Sequence, residues 1–380
     1  MKIVVDENIA FAEEVFSQFG DVLPFAGRKI TNAILKNADA LIVRSITLVD
    51  ENLLKNTKIK FVGTATIGKD HIDTNYLDEN NITFADAKGC NADSVAEYVY
   101  TALLKIAVDN KLTLKDKSIG IIGVGNIGSR VANYAETLGL KVYKNDPPKQ
   151  RAGERSNYVS LKEALKADII TLHVPLNKTG FDKTFHLLDE KKLNKIKSSA
   201  IIINTSRGEV IDNKALLGII DKKHHKVILD VWEDEPLINT DLLQKVVLGS
   251  SHIAGYSLEG KVNGTKMIYD ALCRFTNHLN DWKPKLPVVE NNIIDVSSAK
   301  NIEEKLHFIF KLIYNIEADD SAMREMIEMD KNLRAAYFDT LRKEYPFRRE
   351  FNNYTILIEE TDKQLKDILE AFRFKVNFKH

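Results

Sequence analysis

The sequence predicts an α/β protein: two parallel-sheet units in series, followed by a smaller α+β segment. Three observations carry that prediction. Short β-branched runs alternate with amphipathic stretches from the first residue to about residue 255, the pattern of strands joined by crossover helices. A glycine-rich turn joins a strand to a helix near the middle of that series. Beyond Pro284 and Pro287 the texture changes, because glycine disappears and charge rises.

The first ninety residues supply "KIVVD", "ALIVRS", "IKFVGTA" and "ITFADA" as strands, with "AFAEEVFSQFG" and "DENLLKN" as the intervening amphipathic segments. A long apolar helix follows over 92–110, with Asn91 or Asp93 as its cap. The second series places strands at "IGIIG", "KVYKND", "ADIITLHV", "AIIINTS" and "KVILDV", and closes with "VVLGSSHIAG". In the tail, "EEKLHFIFKLIYNIE" reads as an amphipathic helix, and "YTILIEE" and "FRFKVNF" read as strands. A chain of 380 residues accommodates two or three such domains.

Composition excludes several functions. Basic and acidic residues balance at 54 each, so no polycationic footprint for nucleic acid or an anionic membrane is expected. No apolar run approaches the roughly 20 residues of a membrane span, and the run in "MKIVVDENIA" is too short for a signal peptide. Two cysteines, Cys90 and Cys273, are too few for a disulfide framework or a structural zinc site; reduced thiols, a cytoplasmic location and no metal are expected. The adjacent His224 and His225 lack ligand spacing and are expected to face solvent.

The chemistry begins at "GVGNIG". Gly123, Gly125 and Gly128, with Asn126 and Ile127 between them, form G-x-G-x-x-G between an apolar strand and an amphipathic helix. Such a turn brings backbone N–H groups and a helix N-terminus to a pyrophosphate. Asp146 ends the next strand, where a carboxylate accepts the adenosine ribose hydroxyls and repels a 2′-phosphate, favouring NAD over NADP. Lys149 and Arg151 are the nearby cations that would argue for NADP. Three later strands end at polar groups. Arg207 follows "AIIINTS", Glu233, Asp234 and Glu235 follow "KVILDV", and His252 follows "VVLGSS". A guanidinium can hold a carboxylate and polarise an adjacent carbonyl, and a carboxylate-oriented imidazole can exchange a hydroxyl proton while hydride leaves carbon.

With "GVGNIG", Asp146, "NTSRGEVID", "LDVWEDEP" and "SHIAGYS" in that order, residues 1–285 resemble the NAD-dependent D-2-hydroxyacid dehydrogenases. The resemblance implies Rossmann-like and flavodoxin-like sheets in two domains, a discontinuous substrate domain of residues 1–91 and 256–285 and an NAD domain of residues 92–255. It implies that Arg207 binds the substrate carboxylate, that Glu235, immediately before Pro236, orients the ring, and that His252 carries the proton. Val174, Asp230 and Gly255 match cofactor-contacting positions; Ser45, Thr66 and Tyr256 match substrate-contacting ones. Within the family, "LIVRSITLVDENLL", "GTATIGKDHID", "GCNADSVAEYV" and "SHIAGYSLEGK" resemble members that act on a phosphorylated 2-hydroxyacid, with residues 286–380 as a homodimerisation domain. Arg44, beside Ser45, is the cation at the first sheet's edge suited to the phosphate, and Arg342, Arg348 and Arg349 in the tail are further candidates. Other readings are a relative such as a phosphoglycerate dehydrogenase and an NAD(H)-sensing protein like the corepressors that share this fold.

Overall fold

The computed structural model describes residues 1–296, 301–346 and 348–379; Phe347 of the tail motif "LRKEYPFRREF" lies outside them. The chain divides into two compact units, residues 1–91 with 257–288 and residues 92–256 with 289–380.

The first unit holds a parallel sheet of β1 (Lys2–Asp6), β2 (Asp21–Phe25), β3 (Ala40–Val43), β4 (Phe61–Thr64) and β5 (Thr83–Asp86), in the order β2-β1-β3-β4-β5. This is the flavodoxin-like order, whose direction reverses between β1 and β3. Strands β3 and β4 are buried on both faces, which is why they read as unbroken apolar runs. The expected strands correspond to β1, β3, β4 and β5, while β2 was not expected. Its Pro24 cannot donate to a ladder, and the edge of a sheet is where proline is tolerated. The helix Leu258–Thr276 completes this unit by packing Ile268, Tyr269, Leu272 and Cys273 against Phe16, Phe61 and the β1 side chains.

The second unit is built on β6 (Ser118–Ile122), β7 (Lys141–Asn145), β8 (Ile169–Leu172), β9 (Ile201–Asn204), β10 (Lys226–Leu229) and β11 (Leu248–Gly249), ordered β11-β10-β9-β8-β6-β7 and parallel throughout. Direction reverses at β6, so the crevice for a ligand lies at the carboxyl ends of β6 and β8. The helix Ala92–Asp109 is apolar nearly all round, and the packing gives the reason. The helix Asn126–Thr137 covers one side and the tail helix Ile302–Ile313 another.

The tail adds a three-stranded parallel sheet of β12 (Ile293–Asp295), β13 (Thr355–Ile358) and β14 (Lys375–Phe378). Leu306, Ile309 and Phe310 join the core of the Ala92–Asp109 helix, whereas Met323, Met326 and Phe338 join the core that holds Trp232 and Leu242. The apolar face of "EEKLHFIFKLIYNIE" is therefore occupied inside this unit. His225, expected to face solvent, is instead 5 % exposed. The chain turns inward at the left-handed His224 that ends the helix Asn213–Lys223, and burial, with a smaller contribution from Lys223, pushes the His225 pKa down to about 4. Among the described residues no helix is long and apolar enough to cross a membrane.

Candidate active site

The turn after β6 is shaped for a dinucleotide. Gly123 has φ 86°, and a side chain on Gly128 would fall 2.0 Å from the Gly123 carbonyl oxygen, so only glycine lets the helix start this close to the strand. A side chain on Gly125 would meet nothing within 4 Å, leaving open space in front of the turn. Asn126 and Ile127 form the first turn of the following helix, and Val174, just past β8, stands beside Gly123. Asp146 accepts Val124 N–H at 2.8 Å through one oxygen and caps Lys149 N–H at 3.1 Å through the other. A carboxylate oxygen has a second acceptor direction, so the group remains suited to ribose hydroxyls. Lys149 is held by Glu154 at 3.0 Å and Arg151 pairs with Asp182, so both cations that would favour a 2′-phosphate are engaged by carboxylates. The residues present fit NAD.

Three loops at the carboxyl ends of β9, β10 and β11 carry the reactive groups. Asn204, the last residue of β9, accepts Ser206 N–H and Oγ–H through its oxygen and donates to the Arg207 carbonyl at 2.9 Å. This fixes the backbone from which the half-buried Arg207 side chain leaves. At Gly208 a side chain would lie 1.9 Å from the Trp232 carbonyl carbon, so glycine lets the Arg207 loop close against the loop after β10. That second loop is pinned by Trp232, which is buried and donates from its indole to the Ser250 carbonyl at 2.9 Å.

The dyad is short and directional. Glu235 Oε2 lies 2.8 Å from His252 Nδ1, and Glu235 Oε1 accepts Trp232 N–H at 2.9 Å. Burial alone would raise the Glu235 pKa, but it is lowered on balance by His252, by the Trp232 N–H and by the charge of Arg342. An ionised Glu235 accepts a hydrogen bond from Nδ1–H, which leaves Nε2 as the nitrogen that can exchange a proton. His252 has φ 60°, a left-handed conformation uncommon for a residue with a side chain. Its backbone is held by Asp230, whose carbonyl accepts His252 N–H at 2.7 Å. The Asp230 carboxylate is 2 % exposed and accepts Ser250 Oγ–H, Ile253 N–H and Ala254 N–H. In this geometry Asp230 shapes the loop that carries His252, Gly255 and Tyr256.

The other acidic residues of "WEDEP" go elsewhere. Glu233 binds His186 at 2.6 Å and accepts Asn213 N–H at 2.8 Å, so Glu235 alone of the two glutamates faces His252. His186, Asp212 and Glu233 have ligand atoms within 4.8 Å of one another; their polar atoms are engaged by each other and by the amino end of the helix Asn213–Lys223.

In the first unit, Arg44 and Ser45 follow β3 and Thr66 follows the neighbouring β4, which places them at one edge of that sheet. Arg44 Nε lies 3.3 Å from the buried Asp6 carboxylate, Ser45 is exposed, and Thr66 Oγ shares a 2.9 Å hydrogen bond with Thr64. Lys261, the last residue of "SHIAGYSLEGK" but not among the expected site residues, adds a second cation there. Burial and then the charge of Arg44 hold its pKa below the usual range. Tyr256, in the second unit, has its ring beside Tyr345 and its hydroxyl 3.3 Å from Arg342.

Known proteins resemble this chain over most of its length. Residues 96–254 match the family described as D-isomer specific 2-hydroxyacid dehydrogenase, NAD binding domain, and residues 285–371 match a domain of unknown function (DUF3410). The chain is 41 % identical to the erythronate-4-phosphate dehydrogenase of Photorhabdus laumondii over 98 % of its own length and 99 % of that protein. It is 42 % identical to the enzyme of that name from Escherichia coli K12, over 95 % of each chain. Among solved structures, D-lactate dehydrogenase from Aquifex aeolicus with NAD and lactic acid aligns with a TM-score of 0.60 and 25 % identity, covering 73 % of this chain and 96 % of that one. The NAD-bound 3-phosphoglycerate dehydrogenase of Entamoeba histolytica aligns with a TM-score of 0.62 and 27 % identity, covering 73 % and 95 %. With an NAD-shaped turn, a carboxylate-held histidine at a strand end and full-length relatives at these identities, the chain belongs to the erythronate-4-phosphate dehydrogenases of the NAD-dependent D-2-hydroxyacid dehydrogenase family.

Proposed function

We propose that the chain oxidises the C2 hydroxyl of 4-phospho-D-erythronate to 2-oxo-3-hydroxy-4-phosphobutanoate, a step of pyridoxine synthesis in the cytoplasm. The observation that carries this reading is the 2.8 Å Glu235–His252 contact in a chain 41 % identical, end to end, to an enzyme named for that substrate. Bound NAD supplies the hydride acceptor. His252 Nε2 takes the hydroxyl proton as the C–H bond breaks, and Glu235 holds the Nδ1 proton and stabilises the ring's positive charge. Arg207 binds the C1 carboxylate in fork geometry and polarises the carbonyl that forms at C2. Asp146 takes the adenosine ribose, and Asp230, Val174 and Gly255 line the nicotinamide end. Ser45 and Thr66 take substrate hydroxyls, Tyr256 packs against the substrate, and Arg44 supplies charge for the phosphate. Residues 286–380 make the homodimer contact.

Initial rates of NADH formation with 4-phosphoerythronate, 3-phosphoglycerate and unphosphorylated D-2-hydroxyacids test the reading. It requires the highest kcat/KM with 4-phosphoerythronate. A higher value with 3-phosphoglycerate would move the chain to that activity, and NADH binding without turnover of any of them would leave only a cofactor-sensing role.

A further inference from the structure

Arg342 ends the tail helix Lys331–Lys343, where a basic residue usually answers the helix dipole and points to water. Its side chain instead runs inward to the reactive loops. Nη2 donates to the Tyr256 hydroxyl at 3.3 Å, and the guanidinium carbon sits 5.9 Å from the centre of that ring. Nε is buried without an acceptor. The guanidinium is near enough to Glu235 for the two charges to act on each other, with Asp339 of its own helix a weaker neighbour. Glu235 does not form a fork with it: its oxygens accept Trp232 N–H and the His252 Nδ1–H instead.

The other arginines of the tail give the contrast. Arg324 is committed to Asp320 and to the carbonyls of Leu243 and Val246, and Arg334 to Met329, Thr240 and Ile327. Arg373 pairs with Asp93 and Glu350. Arg348 also has donors unmet, Nε and Nη1, but it is 6 % exposed, bound to Ser94 and the Ala254 carbonyl and stacked over Tyr314, so those donors face protein interior. Arg349 bonds to Asn353. Arg342 differs in its place: it is half-buried beside the Glu235–His252 pair, with one long bond and its Nε without an acceptor. A buried donor left unmet, here Nε, costs stability, and a ligand with several acceptor oxygens offsets that cost when it binds.

We propose that Arg342 is a substrate-binding residue contributed by the C-terminal tail to its own chain's active site, where its fork takes the phosphate of the substrate. The proposal rests on the functional reading above and adds a specificity residue to it. Arg207 serves the carboxylate; a substrate with a second anionic end needs a second fork, and Arg342 is the cation beside the dyad with the donors to provide it.

The test compares wild type, Arg342→Gln and Arg342→Lys with 4-phosphoerythronate, with unphosphorylated D-erythronate, and with inorganic phosphate as a competitor against whichever D-2-hydroxyacid the wild type turns over. NADH binding and Tm report whether each variant is folded, and the lysine variant carries the test should the glutamine variant fail to fold. The expected result is a drop of about 10- to 100-fold in the kcat/KM ratio of phosphorylated to unphosphorylated substrate in Arg342→Gln, expressed mainly in KM, with a matching weakening of phosphate inhibition and a smaller loss in Arg342→Lys. Equal losses for both substrates, with phosphate inhibition intact, overturn the proposal and leave Arg342 as a support for Tyr256 and Glu235. No change in the ratio also overturns it and returns the phosphate to Arg44 and Lys261. A wild type that ignores 4-phosphoerythronate defeats the functional reading instead, and phosphate competition still decides the role of Arg342.

Discussion

The two large sheets end in loops of different construction. At the carboxyl edge of the second sheet each reactive loop is tied by a polar side chain through several bonds: Asn204 holds the Arg207 loop, Asp230 the His252 loop, and Glu235 both Trp232 N–H and the imidazole. At the same edge of the first sheet Ser45 is exposed, Arg44 leans on Asp6, and Thr66 is tied through Thr64. The second edge has several bonds per loop; the first holds the Arg44 and Thr66 side chains by one contact each and leaves Ser45 exposed. Proton transfer needs fixed geometry within a few tenths of an ångström, whereas gripping a polar substrate tolerates more.

Substitutions at the two edges should therefore differ in kind as well as size. The largest effect is expected at His252. Replacement by alanine should lower kcat by about 10²- to 10⁴-fold while NADH affinity, measured by fluorescence titration, holds. Activity near wild type would remove His252 from the chemistry and the contrast with it. Next comes Asp146→Ala, which should weaken NAD binding by about tenfold and narrow the preference over NADP, since ribose hydrogen bonds and repulsion of a 2′-phosphate are lost together. A wild type that already prefers NADP would show that Lys149 or Arg151 governs cofactor choice. At the first edge, Thr66→Val should raise KM by about three- to fivefold with little change in kcat. A kcat loss as large as that of His252→Ala would mean the first edge is as rigidly set as the second.

The smallest effect concerns the frame of the second sheet. Asp168 joins the start of β8 to Ser118 and Lys197. Burial would raise its pKa, but those bonds outweigh it and hold the group at about 2. Its contribution to stability is therefore complete above roughly pH 3.9, the unfolded value, and is lost as pH falls through the folded one. Urea unfolding of Asp168→Asn should show a shallower loss of stability than wild type between those limits. Identical acid limbs would mean that the ion pair is silent.

The strands of both sheets were legible because buried parallel strands are apolar runs bounded by turns, and the dyad was legible because its residues follow those runs directly. What escaped has physical causes. Strand β2 hides its nature behind Pro24, and β12 is three residues long. Nothing in "WEDEP" distinguishes Glu233 from Glu235 by spacing; the distinction is made in space by His186 and His252. Lys261 is one lysine in a helix full of polar residues, and only the fold sets it near Arg44. Arg342 sits among several tail arginines of similar sequence context, and its difference from them is its place, half-buried beside Tyr256 and Glu235.

The packing of the tail helix Ile302–Ile313 on the helix Ala92–Asp109 makes the tail a poor candidate for modular removal. Cutting the chain near residue 289 would remove the cover of the helix Ala92–Asp109, including Tyr314 beside the buried Tyr98, and would strip the Arg348 anchor from Ser94 and from Ala254, two residues past His252. A truncated protein would present a sticky stripe to its neighbours in a cell extract, so loss of activity on truncation would report aggregation as readily as a missing phosphate contact. Engineers wishing to graft this tail onto a shorter relative would have to transplant the apolar back of the recipient's helix with it.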